Sequence, residues 1–204
     1  MLIPLEKLMK RFGVKASGVL HCGGNIAEEA PQYAKAGINK VIWIEANPEI
    51  FTQLQANIKA YKGHTAVMYC IGDEDGKEVT FHVANNKGQS SSYLELGTHK
   101  KQHPEVSFIE DIPMTTTRID SMGLNLEGLD FLAMDLQGAE MKALRGMGQL
   151  LRQFKWAYLE VNRNEVYVGC PHVNDIDLYL NGFGFKRVVT EWCGNWGDAL
   201  YLRR

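Results

Sequence analysis

The sequence predicts an α/β fold: a mostly parallel sheet built from βαβ units and closed by an antiparallel hairpin at the C-terminus. Three observations predict it. Residues Val19 to Glu45 read as apolar run, glycine turn, helix-length segment, second apolar run and acid, which is one βαβ unit. Leu129–Met134 is an almost unbroken apolar run, the signature of a parallel strand buried on both faces. Phe185–Thr190 and Ala199–Leu202 form a pair of short apolar segments, with Trp192, Gly194, Trp196 and Gly197 between them, as a hairpin requires.

Each element follows in order. Leu5, Leu8, Met9 and Phe12 recur at helical spacing over Leu5–Phe12, and Gly13 stops that helix, so residues 1–16 are a helical lead-in. Strand one is Ser17–His21. The next helix runs from about Glu28 to Ala36, and Pro31 is tolerated there only in the first turn. Strand two is Lys40–Glu45. Asn47-Pro48-Glu49 is a helix start: a cap residue, a proline in the first turn and an acid near the dipole's positive end. Ile50, Phe51, Leu54 and Ile58 supply its buried stripe. Strand three is Ala66–Ile71.

The rhythm then changes. Glu78–Ala84 alternates, so it reads as a half-exposed antiparallel strand. Gly88–Leu96 and Met114–Ile119 look extended, and the polar interval Thr98–Asp111 reads as a loop. Residues 74–120 are therefore an inserted β/loop region on the βα scaffold. After strand four, Leu129–Met134, come helix Glu140–Gly146, a short segment Gln149–Phe154 and strand five, Trp156–Val161. Asn174 and Asp177 suggest a capping-box start for helix Asp175–Leu180, which Gly182 stops. No repeat or linker interrupts the 204 residues, so one domain is expected over 1–204.

Composition narrows the function classes. With 45% hydrophobic and 23% charged residues, the chain is that of an ordinary globular protein. A net charge of −2 gives no nucleic-acid footprint. Cys22, Cys70, Cys170 and Cys193 are scattered, which reads as free thiols and not as a zinc site. His99 and His103 stand at i, i+4, but in a lysine-rich polar stretch they read as a solvated pair, and no metal is expected. The first residues are too polar for a signal peptide and no apolar run has membrane-spanning length, so the expected location is cytoplasmic, with no membrane partner.

The first turn carries the chemistry. Gly23 and Gly24 let the backbone turn sharply and approach a ligand. An acid at the next strand's tip, Glu45, can accept hydrogen bonds from ribose hydroxyls. The glycines are adjacent and position 26 is Ile, so the dinucleotide pattern G-x-G-x-x-G is not met. A nucleoside without a diphosphate fits better, and S-adenosylmethionine is the common one. Two rival readings are a nicotinamide-dependent oxidoreductase on the same unit and a nucleoside-binding module without activity. The first lacks the third glycine and a Tyr-x-x-x-Lys pair. The combination of Asp135, Glu140 and Glu160 speaks against the second.

Six motifs in order, HCGGN at 21–25, IEAN at 44–47, IGDEDG at 71–76, SSSYL at 90–94, TTRID at 116–120 and MDLQGAE at 134–140, give a resemblance. The chain resembles FkbM-type S-adenosylmethionine-dependent methyltransferases over about residues 17–190. The resemblance implies a Rossmann-like class I methyltransferase fold: a seven-stranded, mostly parallel sheet with helices on both faces. It implies methylation of a hydroxyl on a sugar, glycan or small-molecule acceptor. It also implies a cofactor site of His21, Cys22, Gly23, Gly24, Asn25, Glu45, Ala46 and Asn47. Ile71, Gly72 and Asp73 would stand by the adenine, and Ser91 with its neighbours Ser90 and Ser92 would clasp the cofactor. His21 occupies the place where the family more often has an acid. Asp135 ends a buried strand at the carboxyl edge, where open α/β sheets bind ligands, and is the first catalytic candidate; it also counts among the cofactor contacts. Glu160, ending the adjacent strand, is the second. Glu140, His172 and Trp196 are candidates for the acceptor side.

Overall fold

The computed structural model describes residues 1–204. Helix α1 (Leu5–Phe12) buries Leu5 and Leu8 and ends at Gly13, whose φ of 67° lets its N–H reach Met9 O. Then come β1 (Gly18–Cys22), α2 (Ala30–Lys35) and β2 (Lys40–Glu45). Pro31 sits in the first turn of α2, where its missing N–H costs nothing. Helix α3 (Pro48–Ile58) starts at Asn47, whose side-chain oxygen accepts the N–H groups of Glu49 and Ile50. The remaining elements are β3 (His64–Met68), β4 (Cys70–Ile71), β5 (Glu78–Ala84), α4 (His99–Gln102), β6 (Phe108–Thr117), β7 (Phe131–Met134), α5 (Glu140–Met147), β8 (Trp156–Asn162), α6 (Val173–Asn181), β9 (Phe185–Cys193) and β10 (Trp196–Arg203).

The main sheet has seven strands in the order β3-β2-β1-β7-β8-β10-β9. Within it only β10 runs antiparallel to its neighbours. The strand order reverses between β1 and β7, so a crevice opens there beyond the carboxyl ends of the strands. A second sheet, β4-β6-β5, takes its two longer strands from the region 74–120. No helix is long and apolar enough to cross a membrane.

Strand alternation divides the core in two. Leu20, Ile42, Ile44, Leu132, Met134 and Leu159 pack with Leu144, Ile176 and Leu180 of α5 and α6. Val19, Val41, Trp43, Phe131 and Ala133 pack on the other face with Leu5, Leu8, Tyr33 and Leu54 of α1 to α3. Successive side chains point to opposite faces, so residues two apart share one. His21, Glu45, Asp135 and Glu160 each follow a residue of the second face by two positions: Val19, Trp43, Ala133 and Tyr158. That register gathers them at one rim.

Several sequence boundaries move. Strand three, expected over Ala66–Ile71, is two pieces: β3 pairs with β2, while β4 leaves the main sheet to pair with β6. The interval Thr98–Asp111 is not a plain loop, since it contains α4 and the start of β6. The polar residues of β6 misled the reading because one face of that strand meets water. Gly88–Leu96 is mostly turns, with isolated bridges from Ser92 to His82 and from Leu96 to Tyr167. Helix α6 is capped by His172, not Asn174: the Asp175 side chain accepts the His172 N–H at 2.9 Å, and the His172 carbonyl accepts the Asp175 N–H at 2.9 Å. The hairpin strands reach further than expected, so Trp192, Trp196 and Gly197 lie within them and only Gly194-Asn195 turns.

Candidate active site

The rim of the second face opens into a cleft of about 700 Å³. Its wall on one side is the first turn. Gly23 has φ 79°, and a Cβ there would stand 1.8 Å from Asp135 O. A Cβ on Gly24 would stand 2.7 Å from the Leu54 side chain. Position 23 therefore needs glycine, while a Cβ at Gly24 would have to displace the end of the Leu54 side chain; the backbone of β1 passes directly against that of β7.

Glu45 is buried and bound by the backbone. Its Oε2 accepts Asn25 N–H at 2.8 Å, and its Oε1 accepts Ala46 N–H at 2.9 Å and Asn47 N–H at 2.8 Å. A carboxylate has about four acceptor sites. Three are taken, which leaves Oε2 room for one ligand hydroxyl instead of a full pair. Burial raises the Glu45 carboxyl, while the three N–H groups pull it back.

The floor between β7 and β8 is different. Carboxyl oxygens of Asp135, Glu140 and Glu160 lie within 4.8 Å of one another. Glu140 Oε1 accepts the N–H groups of Leu136 at 2.7 Å and Gly138 at 3.3 Å, and its Oε2 has no partner. Burial pushes this carboxyl up to about 7. Glu160 is raised further, by burial first and then by the charges of Asp135 and Glu140. Asp135 is the exposed member, but it faces the cleft, and the protein around it together with Asp198 raises its carboxyl too. Three acids so placed do not all ionise at neutral pH. Gln137 Nε2 donates to both Asp135 Oδ1 at 2.6 Å and Glu160 Oε2 at 2.9 Å, filling the space between them.

The other wall is polar. Ser91 Oγ accepts the Ala84 N–H at 3.0 Å, and Ser92 Oγ donates to Gln137 O at 2.9 Å. Ser90 Oγ stands 3.2 Å from His99 Nε2. His99 is not solvated: α4 carries it into the cleft wall, 7% exposed, with its ring 5.0 Å from that of His103. Cys70 and Ile71 line the cleft near Tyr69, and no Lys or Arg lines it anywhere.

The cleft brings together His21, Gly23, Gly24, Asn25, Glu45, Ala46, Ile71, Ser91, Asp135, Glu160 and Trp196. Six other candidates stand outside it. The Cys22 side chain packs in the core beneath the turn, and Asn47 caps α3. Gly72 packs on Thr116, and Asp73 lies 3.9 Å from Lys142 Nζ. Glu140 serves the turn under Asp135, and His172 caps α6. His21 lies deep beneath the cleft, stacked 4.5 Å from Trp43 with Nδ1 3.0 Å from Tyr33 Oη, and burial lowers its imidazole to about 4, so it is neutral.

These features match a known domain: the methyltransferase FkbM domain aligns with residues 21–187. The chain belongs to that family. The FkbM methyltransferases take their methyl group from S-adenosylmethionine, and a glycine turn beside a strand-tip acid fits that nucleoside. One curated relative is a 2-O-methyltransferase of Sinorhizobium fredii, 24% identical over 160 residues; the match covers 74% of this chain and 65% of that protein's length. Among solved structures, the magnesium protoporphyrin IX methyltransferase of Synechocystis, with bound S-adenosylmethionine, has a TM-score of 0.55 at 13% identity, covering 98% of this chain and 76% of that one. The ribosomal protein L11 methylase of Lactobacillus delbrueckii has a TM-score of 0.54 at 12% identity, covering 96% and 74%. At such identities the likeness is one of fold. For this FkbM domain, the residues that sequence reading missed are Gln137, Tyr167, His99 and Asp198. Gln137 stood within the D-x-Q-G-x-E block and carried a readable signal. Asp198 enters only through the register that sets it opposite Glu160.

Proposed function

We propose that this chain methylates a hydroxyl oxygen of a sugar, glycan or other small-molecule acceptor, with S-adenosylmethionine as donor. The observation that supports it best is a single cleft with two chemistries: a ribose-type acceptor at Glu45 and raised carboxyls at Asp135 and Glu160. The name of the Sinorhizobium relative, a 2-O-methyltransferase, agrees with an oxygen acceptor.

S-adenosylmethionine supplies an activated methyl: attack by oxygen breaks the methyl–sulfur bond and leaves the electron pair on sulfur. The protein's task is alignment and proton removal. Glu45 Oε2 takes a ribose hydroxyl, and Gly23-Gly24-Asn25 passes the backbone beneath the methionine part. Ile71, which lines the cleft, would stand by the adenine. Asp135, beside the first turn, meets the methionine ammonium, since His21 is neutral and supplies no charge there. The Asp135–Glu160 pair has a raised affinity for a proton, and in its ionised form Glu160 takes the one that the acceptor hydroxyl releases. A positioned base of this kind gives roughly 10²–10⁴-fold, and alignment up to about 7–11 kcal/mol.

Two experiments test this. S-adenosylhomocysteine should raise the melting temperature and NAD should not; at 100 times its dissociation constant the ligand adds about 2.7 kcal/mol. Labelled donor offered with a panel of hydroxylated acceptors should give an ether product. Label appearing only on nitrogen or carboxyl groups contradicts the oxygen reading.

A further inference from the structure

We infer that Gln137 is the positioning residue of this site: its side-chain amide holds the Asp135 and Glu160 carboxyls as one acid pair, and two other loops hold Gln137 in turn. The inference rests on the proposed role of that pair in the transfer.

The backbone gives the first reason. Gln137 has φ 51°, a left-handed conformation that a side chain other than glycine rarely adopts. The turn is built to impose it. Glu140 Oε1 accepts the N–H groups on both sides of Gln137, at Leu136 and Gly138. Ser92 Oγ, from the inserted region, donates to the Gln137 carbonyl at 2.9 Å.

The side chain gives the second reason. One amide serves three partners. Nε2 donates to Asp135 Oδ1 at 2.6 Å and to Glu160 Oε2 at 2.9 Å, using both hydrogens. Oε1 accepts from Tyr167 Oη at 2.6 Å, and Tyr167 comes from the loop after β8. A glutamate at 137 would face two carboxyls with a third charge, and asparagine would be one carbon short. The amide therefore bridges two strand ends that no backbone hydrogen bond joins at this level. The same contacts tie the inserted region and the loop after β8 to the pair.

Other charges face the pair as well: Glu140 from α5, Asp198 from β10, Glu45 from β2 and the amino group of Met1. None of them donates to both carboxyls. Only Gln137 does, so its removal has a specific signature. Its two N–H groups favour the ionised form of the pair, and without them the pair holds its proton to higher pH.

The test is a ¹³C titration of carboxyl-labelled protein with neither cofactor nor acceptor present, so it stands apart from the methyltransferase reading. In Gln137→Ala the Asp135 midpoint should rise by about one pH unit, the size expected for lost charge-assisted bonds. Tyr167→Phe should move it the same way by less. If Gln137→Ala does not fold, Gln137→Gly suits the left-handed backbone and should show the same rise. Ser92→Ala frees only the carbonyl and should leave the midpoint in place. An unchanged midpoint in both Gln137 variants overturns the inference. So does an equal shift in Ser92→Ala, which would make Gln137 part of the turn's architecture and nothing more.

Discussion

Glu45 and Glu160 end two strands of one sheet, on one face and at one edge, but their surroundings are opposite. Glu45 meets three backbone N–H groups and no other side chain. Glu160 meets an amide nitrogen and two further carboxyls. Backbone donors are fixed by the fold, so Glu45 presents an oxygen at a set place for a ligand to find. Burial first and then carboxyl neighbours make ionisation costly, so Glu160 favours its protonated form. On the proposed function, strand-tip acids in a single cleft thus divide into one that binds and one that exchanges protons. What decides between the two is who the neighbours are, not the residue type or the depth of burial.

The two regions touch at Gly23, so that residue is the place to break the comparison. Gly23→Ala drives a Cβ into the Asp135 carbonyl at a positive φ. It should cost on the order of 3 kcal/mol or more of stability, read from urea denaturation, and should abolish cofactor binding together with any activity. A variant of native stability would mean that the turn and β7 can separate freely.

The pH dependence of stability sharpens the comparison next. His21 is held neutral, its imidazole lowered from 6.5 to about 4 by burial. The unfolded chain binds that proton first, so this contribution is full above about pH 6.5 and is lost as pH falls towards 4. The loss should be roughly 3 kcal/mol, and His21→Gln should remove it. Glu140 has the opposite sign. Its carboxyl is raised to about 7, so the contribution it makes is full below the unfolded value near 4.5 and is lost as pH rises through 7. Glu140→Gln, measured by thermal unfolding from pH 5 to 8, should flatten that alkaline limb and, because the two windows overlap, steepen the rise below pH 6.5. An unchanged alkaline limb would place the pH sensitivity elsewhere.

Much of this was legible in the sequence, for identifiable reasons. The βαβ unit announces itself through local signals: adjacent glycines, an Asn-Pro-Glu helix start and apolar runs of strand length. The buried strand, expected over Leu129–Met134 and found over Phe131–Met134, is legible because both faces are covered and its apolar run is almost unbroken. Two things were hidden. His99 looked solvated among lysines, because nothing local says that a single turn of helix will push it against Ser90 and Tyr167. The acid cluster could be suspected but not assembled. Asp135 and Glu160 are 25 residues apart and meet through the β7–β8 register, which sets Met134 beside Leu159. The third acid, Glu140, looked like an acceptor contact and turns out to hold the loop that carries Gln137.

The division of labour along the rim is tested most directly by calorimetric titration of S-adenosylhomocysteine into two variants. Glu45→Gln exchanges an acceptor oxygen for N–H groups that face backbone donors and a ribose hydroxyl. Its affinity should fall at least about tenfold, equivalent to one charge-assisted hydrogen bond of roughly 1.5 kcal/mol. Glu160→Gln keeps its shape and should bind within about twofold of the wild type, because its work concerns the acceptor's proton. Wild-type affinity in Glu45→Gln, or the larger loss in Glu160→Gln, would contradict the account.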